Sequence, residues 1–122
     1  MKKPAGAPPP PITPEPEFDR SGYPTERTLK LLTKWPMERA NEALDFIASA
    51  WHWDHMVKHE LEPEEALVVG AEPNKRYLRL ATGGWSGNEE LLEAFEHSLC
   101  YGLTWQLSAR GGLHIFEYRN IK

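Results

Sequence analysis

The sequence predicts an α+β fold: an antiparallel sheet of about four strands with two or three helices packed on one face, in the order ααββαββ. Three observations lead to this prediction. Apolar residues recur at steps of three and four from Met37 to Val57, as in an amphipathic helix. They alternate with polar residues from Leu99 to Leu107, as in a half-buried strand. A glycine-rich stretch, Thr82–Glu89, separates a strand pattern from a helix pattern.

Length and proline content limit the domain organisation. The chain has 122 residues, which indicates one domain. Its first 22 residues contain Pro4, the run Pro8–Pro11, Pro14 and Pro16, and few large apolar side chains. Proline fixes φ and lacks an N–H, so such a segment favours an extended, unpacked chain. We therefore predict a disordered proline-rich tail over residues 1–22 and a single α+β domain over residues 23–122.

Charge, hydropathy and cysteine content exclude several classes of function. A net charge of −4 argues against sequence-independent binding of duplex DNA, which requires many Lys and Arg contacts. No apolar run approaches the roughly 20 residues that cross a bilayer, so no membrane partner is expected. The single Cys100 excludes an intramolecular disulfide, and prolines stand where a signal peptide would be apolar. These features predict a cytoplasmic protein.

The N-terminal half is mainly helical by pattern. Thr25 is placed to cap a short helix with Leu29, Leu31 and Leu32 on it. Pro36 suits the first turn of a second helix, which the apolar spacing extends through Trp51 and Trp53 to Val57. Pro63 and its acidic neighbours are typical of the loop that would end this helix.

The next segments predict a hairpin and a helix. Ala66–Val69 is a short apolar, β-branched run, and the turn-forming Glu72–Lys75 joins it to the alternating segment Arg76–Ala81. After the glycine-rich stretch, Asn88–Ser98 has the spacing of an amphipathic helix.

The C-terminal segments predict two more strands. The alternating run Leu99–Leu107 is followed by Arg110–Gly112, which suits a hairpin turn, and by the apolar segment Leu113–Tyr118. In that last segment His114, Phe116 and Tyr118 share one face while Leu113 and Ile115 share the other. The pattern leaves open which of these two faces is buried.

The glycine-rich stretch has two locally readable features. Gly83 and Gly84 permit a sharp exit from the preceding strand. Ser86 and Glu89 have the spacing of a capping box at the start of the helix that Asn88 opens.

Trp85 stands in the middle of this stretch and has two possible roles. It is either buried as the anchor of a structural turn or exposed as a contact for a protein partner. An anion site on the turn is disfavoured, because Glu89 and Glu90 already place negative charge in the first turn of the helix.

The Thr82–Glu89 stretch and the Arg110–Gly112 turn resemble those of a group of short bacteriophage and prophage proteins. That group shares a TGGWSGNE turn, an amphipathic helix after it and an RGG hairpin near the C-terminus. Tyr23–Glu26 and Trp51–Trp53 fit the same motif order, so the resemblance covers about residues 23–119. It implies an accessory viral gene product, with no assigned activity and no catalytic residues to transfer.

The candidate catalytic and metal-binding sets are weak. His55 and His59 lie four apart on the predicted helix and could reach one ion, but Met56 stands where the zinc-protease pattern has Glu. Cys100 and His97 straddle a predicted helix–strand junction, with no cationic neighbour in sequence to lower the pKa of the thiol. We therefore predict that the chain is not an enzyme, with no catalytic residues, no metal and no cofactor.

Two functions remain as hypotheses. The first is a non-catalytic accessory protein of phage type that binds another protein, such as a host enzyme or defence complex, whose basic groove its acidic surface would occupy. The alternative is a binding module for single-stranded nucleic acid or a nucleotide, which would use aromatic stacking and cationic side chains. The predicted binding residues are Trp85, Gly83, Gly84, Ser86, Asn88, Arg110, His114 and Tyr118.

Overall fold

The computed structural model of the chain describes residues 14–119, so the predicted tail lies outside the described residues over positions 1–13. Within this range the helices are α1 (Glu26–Thr33), α2 (Ala40–Ala50), α3 (Pro63–Val69), α4 (Ser86–Glu96) and α5 (Leu99–Thr104). The strands are β1 (Val57–Lys58), β2 (Tyr77–Ala81), β3 (Trp105–Ala109) and β4 (Leu113–Glu117). The predicted α+β class with an antiparallel four-stranded sheet is confirmed, whereas the order and number of helices differ.

The sheet has the strand order β1-β2-β4-β3, and all neighbouring strands are antiparallel. On β4, Phe116 pairs with Leu78 of β2, and Ile115 pairs with Arg79. Both Phe116 and Ile115 are 0% exposed although they point to opposite faces. Both faces of the last strand are therefore buried at its centre.

The main core lies between one face of the sheet and the helices α2 and α4. The sheet contributes Leu78, Leu80 and Phe116 to a continuous apolar cluster. The two helices contribute Ala43, Leu44, Phe46, Ile47, Leu91 and Phe95. α1 packs against α4, and Thr25 caps α1 as predicted, since its hydroxyl accepts from the Thr28 N–H.

α3 lies on the opposite face of the sheet. Its Glu65 pairs with Arg79, which alternates along β2 with the buried Leu78 and Leu80. Arg79 Nε donates to Glu65 Oε1 at 2.8 Å, and Arg79 Nη2 donates to Oε2 at 2.9 Å. The predicted strand at Ala66–Val69, and with it the hairpin to Arg76–Ala81, is wrong.

Strong local helix signals explain α3. Pro63 occupies the first helical position, Glu62 and Glu65 form a reciprocal capping box, and Gly70 ends the helix with a φ of 69°. These signals outweigh the β propensity of the Val68–Val69 pair, which depends on a packed neighbour that this segment lacks. Pro63 therefore begins a helix here, where the sequence pattern predicted that it would end one.

The predicted strand Leu99–Leu107 is wrong in its first half, which is α5. The Ser98 hydroxyl caps this helix by accepting from the Cys100 N–H. Cys100 and Thr104 lie one turn apart and are 0% exposed, while Leu99 is 68% exposed. The alternation predicted a strand wrongly here, because the buried residues Cys100 and Thr104 are among those that it assigned to the exposed polar face.

The second predicted helix also ends early. α2 stops at Ala50, and after the segment 51–53 the chain makes a 3-10 turn, Asp54–Met56, and enters β1. Trp51 Nε1 donates to the Ala81 carbonyl at 2.7 Å, which fastens this loop to the end of β2. His55 and His59 therefore share no helical face, so the spacing argument for a common metal ion does not apply.

The described part of the predicted tail, residues 14–22, lies against α1. The Glu17 N–H donates to Thr28 Oγ1 at 2.7 Å, and the Glu17 carboxylate pairs with Arg27 at 2.8 Å. Phe18 forms a β-bridge with Pro24. Hydrogen-bonded structure thus begins before the predicted domain boundary at residue 23.

Candidate protein-binding surface

The glycine-rich stretch makes a sharp corner between β2 and α4, as predicted. Gly83 and Gly84 both have positive φ, at 64° and 77°. The Trp85 N–H donates to the Thr82 carbonyl at 3.2 Å across them. Two consecutive positive φ values inside such a four-residue turn are typical of type I′ and favour glycine. The chain thus leaves the strand and enters α4 directly after Trp85.

Ser86 does not cap α4. Trp85 is the residue that precedes the helix, and no side chain bonds to the free N–H groups there. Because the turn closes at Trp85, Ser86 is already the first helical residue and cannot occupy the capping position. Its hydroxyl lies 2.6 Å from the Tyr23 hydroxyl instead. The predicted capping box of Ser86 and Glu89 is wrong.

Four ring side chains lie side by side at this corner: Tyr23, His52, Trp53 and Trp85. We call them the aromatic surface. The centroid of the His52 ring is 4.5 Å from that of Trp85 and 4.7 Å from that of Trp53, and Tyr23 is 4.9 Å from Trp85. His52 and Trp53 are exposed, while Tyr23 and Trp85 are half-buried. Trp85 is thus intermediate between the two predicted states, since its indole packs against its neighbours and still reaches solvent.

Two glycines allow the indoles to lie directly on the backbone. A Cβ at Gly83 would be 2.7 Å from Cζ3 of Trp53. A Cβ at Gly87 would be 2.1 Å from Cη2 of Trp85. Neither distance leaves space for a side chain, so the two rings can lie here because positions 83 and 87 are glycine.

Trp53 has an unusual backbone. Its φ of 71° and ψ of 95° make it the one residue other than glycine with a positive φ between residues 14 and 119. Such a conformation costs on the order of 1–3 kcal/mol and is held only where the surroundings enforce it. The Trp53 ring lies on Gly83, and the residue remains 40% exposed.

Asn88 fastens the 51–53 loop to the corner. It is 0% exposed. Its Oδ1 accepts from the His52 N–H at 2.8 Å, and its Nδ2 donates to the carbonyls of His52 and Thr82, both at 3.2 Å. The Asn88 amide is thus used within the fold, and this predicted binding residue supports the surface without reaching it.

The Arg110–Gly112 turn packs on the same corner. It joins β3 to β4 as predicted. The Thr82 N–H donates to the Gly112 carbonyl at 3.0 Å, and a Cβ at Gly112 would be 2.1 Å from Thr82 Oγ1. The two glycine motifs that stand apart in the sequence therefore meet at Thr82, and Arg110 is exposed in the second of them.

His114 and Tyr118 lie away from the aromatic surface. His114 Nδ1 is 2.8 Å from Ser108 Oγ, and burial lowers the pKa of this imidazole. Tyr118 is 5% exposed, its O–H donates to Asp45 at 2.9 Å, and burial raises its pKa. The structure thus brings together Gly83, Gly84, Trp85, Ser86 and Asn88 of the predicted set, with the Arg110 turn packed behind them.

Sequence reasoning missed Tyr23, His52 and Trp53 as members of this surface. The sequence pattern places Trp53 on the apolar stripe of the second predicted helix. One signal could have found them: the run Trp51–His52–Trp53 contains three consecutive rings, and consecutive residues cannot share one helix face. Tyr23 carries no local signal, because its contact with Trp85 depends on the tertiary fold.

Metal-ligating side chains and the one cysteine form no further candidate site among the described residues. Within residues 14–119, no three His, Cys, Asp or Glu side chains are grouped so that they could hold a metal ion. Cys100 is fully buried with its Sγ 3.4 Å from the Pro36 carbonyl, and burial raises the pKa of the thiol.

Across the same described range, no helix combines the length and the apolar character that spanning a membrane requires.

Comparison of the chain with protein-family models, with curated proteins and with solved structures gives no match. The resemblance to short phage proteins therefore stays a prediction.

Proposed function

We propose that the chain is a non-catalytic binding protein that contacts a protein partner through the aromatic surface. One observation carries this proposal: the Trp53 side chain is 40% exposed although its backbone is strained. Backbone strain kept at an exposed aromatic residue is typical of a functional position. Trp and Tyr are also the residues that contribute most binding energy at protein interfaces.

The aromatic surface is built rigidly. Trp51 is bonded to β2 and Asn88 is bonded to both the loop and the corner, so the backbone beneath the rings is fixed on two sides. Tyr23 is tied to α4 through Ser86. A partner that binds preorganised rings avoids much of the cost of ordering side chains.

The charges around the aromatic surface favour a partner with a basic rim. Asp54 directly follows Trp53 and is exposed, and Glu89 is exposed in the first turn of α4. Acidic groups around an apolar centre steer a basic surface toward it. The resemblance to phage proteins makes a host enzyme or a defence complex with a nucleic-acid groove the first partner to examine.

Single-stranded nucleic acid is less well supported as the ligand. Tyr118, the predicted binding residue whose ring was available for stacking on the last strand, is buried, as is its neighbour Phe116. Arg119 Nη1 donates to the Leu103 carbonyl, away from the aromatic surface. Carboxylates beside the exposed rings would also repel phosphates.

Matched tryptophan variants test the proposal. The wild-type protein captures its partner from a host lysate, and affinity for the purified partner is then measured with Trp53→Ala, Trp85→Ala and Trp105→Ala. Trp105 is the control because it is 43% exposed but lies on β3, outside the aromatic surface. We expect Trp53→Ala and Trp85→Ala to bind the partner about 30-fold more weakly than the wild type. This factor corresponds to a loss of about 2 kcal/mol in binding free energy, as for a hot-spot residue.

Two outcomes would contradict the proposal. One is equal binding by all three variants once circular dichroism shows that each is folded. The other is the absence of any specific protein partner together with a salt-sensitive quench of tryptophan fluorescence by oligo(dT), which would indicate nucleic acid as the ligand.

A further inference from the structure

A cavity of about 630 Å³ opens on the outer side of α1, and none of its lining residues belongs to the aromatic surface. Its volume lies in the range of pockets for small molecules. Leu31, Trp35 and Pro36 give it an apolar floor. Trp35 is 6% exposed and packs on Phe46 in the core, so only its edge faces the cavity. Together with Leu31 and Pro36 this edge forms an apolar surface that suits a ligand with an apolar body.

The rim of this cavity is basic in a protein whose net charge is −4. It is formed by Arg27, Lys30, Lys34 and Arg39, and Glu26 is the one acidic residue among the described lining residues. Arg27 and Lys30 of α1 and Lys34, the residue directly after it, follow one another at three- and four-residue steps and lie along one stripe. Charge complementarity therefore favours an anionic head group on the ligand.

Several of these cations have acidic neighbours. Arg27 pairs with Glu17 at 2.8 Å and Lys30 with Glu26 at 3.7 Å, and Arg39 is bonded to Glu42. The side chains of Arg27 and Lys30 remain 63% and 68% exposed, so these pairs are weak and can be exchanged for a ligand. Lys34 forms no ion pair with any residue in the range 14–119 and is the cation most available to a ligand.

The geometry points to a second binding site, in which this cavity takes a small amphipathic organic anion. The apolar body lies against Leu31 and Trp35, and the anionic head group lies beside Lys34 and Lys30, which are four residues apart. Lys30 and Lys34 also stabilise α1 by placing positive charge near its C-terminal end. That role would explain the two lysines but not the apolar surface of Leu31 and Pro36 beside them.

Binding is tested on the whole chain by ¹H–¹⁵N NMR titration with octanoate. Two further probes, octyl phosphate and octyltrimethylammonium, keep the alkyl chain and change the head group, and acetate keeps the charge without the chain. We expect saturable shifts with octanoate or octyl phosphate at the Trp35 indole N–H, which bonds to the Arg39 carbonyl. The stronger of these two identifies the preferred head group. Acetate and octyltrimethylammonium should bind at least tenfold more weakly.

Charge variants locate the site. Lys34→Glu and Lys34→Gln should each weaken octanoate binding about tenfold or more, the loss expected for one charge-assisted contact. Arg20→Glu changes the net charge as Lys34→Glu does, at an exposed position outside the cavity, and should bind like the wild type. Trp53→Ala should also bind normally, which separates this site from the proposed protein-binding surface. Equal binding of octyltrimethylammonium, or no effect of either Lys34 variant, would overturn the inference.

Discussion

The indole of Trp53 lies on the backbone of Gly83, so close that a Cβ at Gly83 would come within 2.7 Å of the ring. Gly83 also has a φ of 64°, which a side chain disfavours. This contact joins a strained exposed residue to the corner on which the aromatic surface is built.

Gly83→Ala should therefore destabilise the fold by about 2 kcal/mol, since a conformational cost and a steric clash add. Gly84→Ala is the matched control, because Gly84 has a φ of 77° but no atom within 4 Å of a built Cβ. It should cost only about 1 kcal/mol. In a Trp53→Ala background, Gly83→Ala should also fall to about 1 kcal/mol. Urea unfolding measures all three differences, and equal costs for the two glycine variants would show that the ring does not press on Gly83.

Asn88→Ala should destabilise the fold by about 2–4 kcal/mol, because it removes the bonds of a buried side chain to the N–H and the carbonyl of His52. The Thr82 carbonyl also loses Asn88 but keeps its bond from the Trp85 N–H. Asn41 is the control, because it also bonds both backbone groups of one residue but lies at a half-buried site. Its side chain accepts from the Arg119 N–H at 2.7 Å and donates to the Arg119 carbonyl at 3.0 Å. Asn41→Ala should cost about 1 kcal/mol. Amide hydrogen exchange at His52 should accelerate only in the Asn88 variant. Equal losses of stability would mean that burial of Asn88 does not matter.

The Glu65–Arg79 pair should make stability depend on pH in acid. The Arg79 guanidinium holds the pKa of Glu65 below its ordinary value of 4.5. A carboxylate with a depressed pKa in the folded state contributes its full stabilisation above the unfolded pKa, and this contribution is lost as the pH falls through the folded pKa. Below about pH 4.5 the wild type should therefore lose stability faster than Glu65→Gln.

Denaturation midpoints measured from pH 7 down to about pH 2 test this expectation. Glu64→Gln is the control, because Glu64 is exposed on the same helix and forms no ion pair in the described range. It should follow the wild-type curve. An acid limb that is the same in Glu65→Gln and wild type would show that the pair has no net effect.

Cys100 should be unreactive in the native protein. Its thiol is 0% exposed and burial raises its pKa, so little thiolate is present and reagents cannot reach it. With Ellman's reagent the wild type should react only as fast as it unfolds. A Ser21→Cys, Cys100→Ser protein carries one exposed thiol instead and should react at the rate of a free thiol. Rapid labelling of native wild type would contradict the burial of Cys100.

Features that depend on a few neighbouring residues could be predicted from the sequence. Gly83 and Gly84 indicated the corner, Thr25 indicated the start of α1, and the Arg110–Gly112 turn indicated the last hairpin. Each of these rests on a local rule about glycine conformation or helix capping.

Features that depend on which apolar surface a segment meets could not be predicted. The alternation in Leu99–Leu107 fits a strand, but in the fold Cys100 and Thr104 face the core from a helix. The long apolar spacing after Met37 includes Trp53, whose ring belongs to the surface rather than to the stripe. Tyr23 and Trp85 touch only because α1 packs on α4, a relationship between distant parts of the chain.

The four rings of the aromatic surface come from positions 23, 52, 53 and 85. Such a surface is a discontinuous epitope, which no linear stretch of the chain reproduces. A synthetic copy of the TGGWSGNE octapeptide should not compete for the partner, and a partner that recognises all four rings would distinguish the folded protein from a nascent or denatured chain.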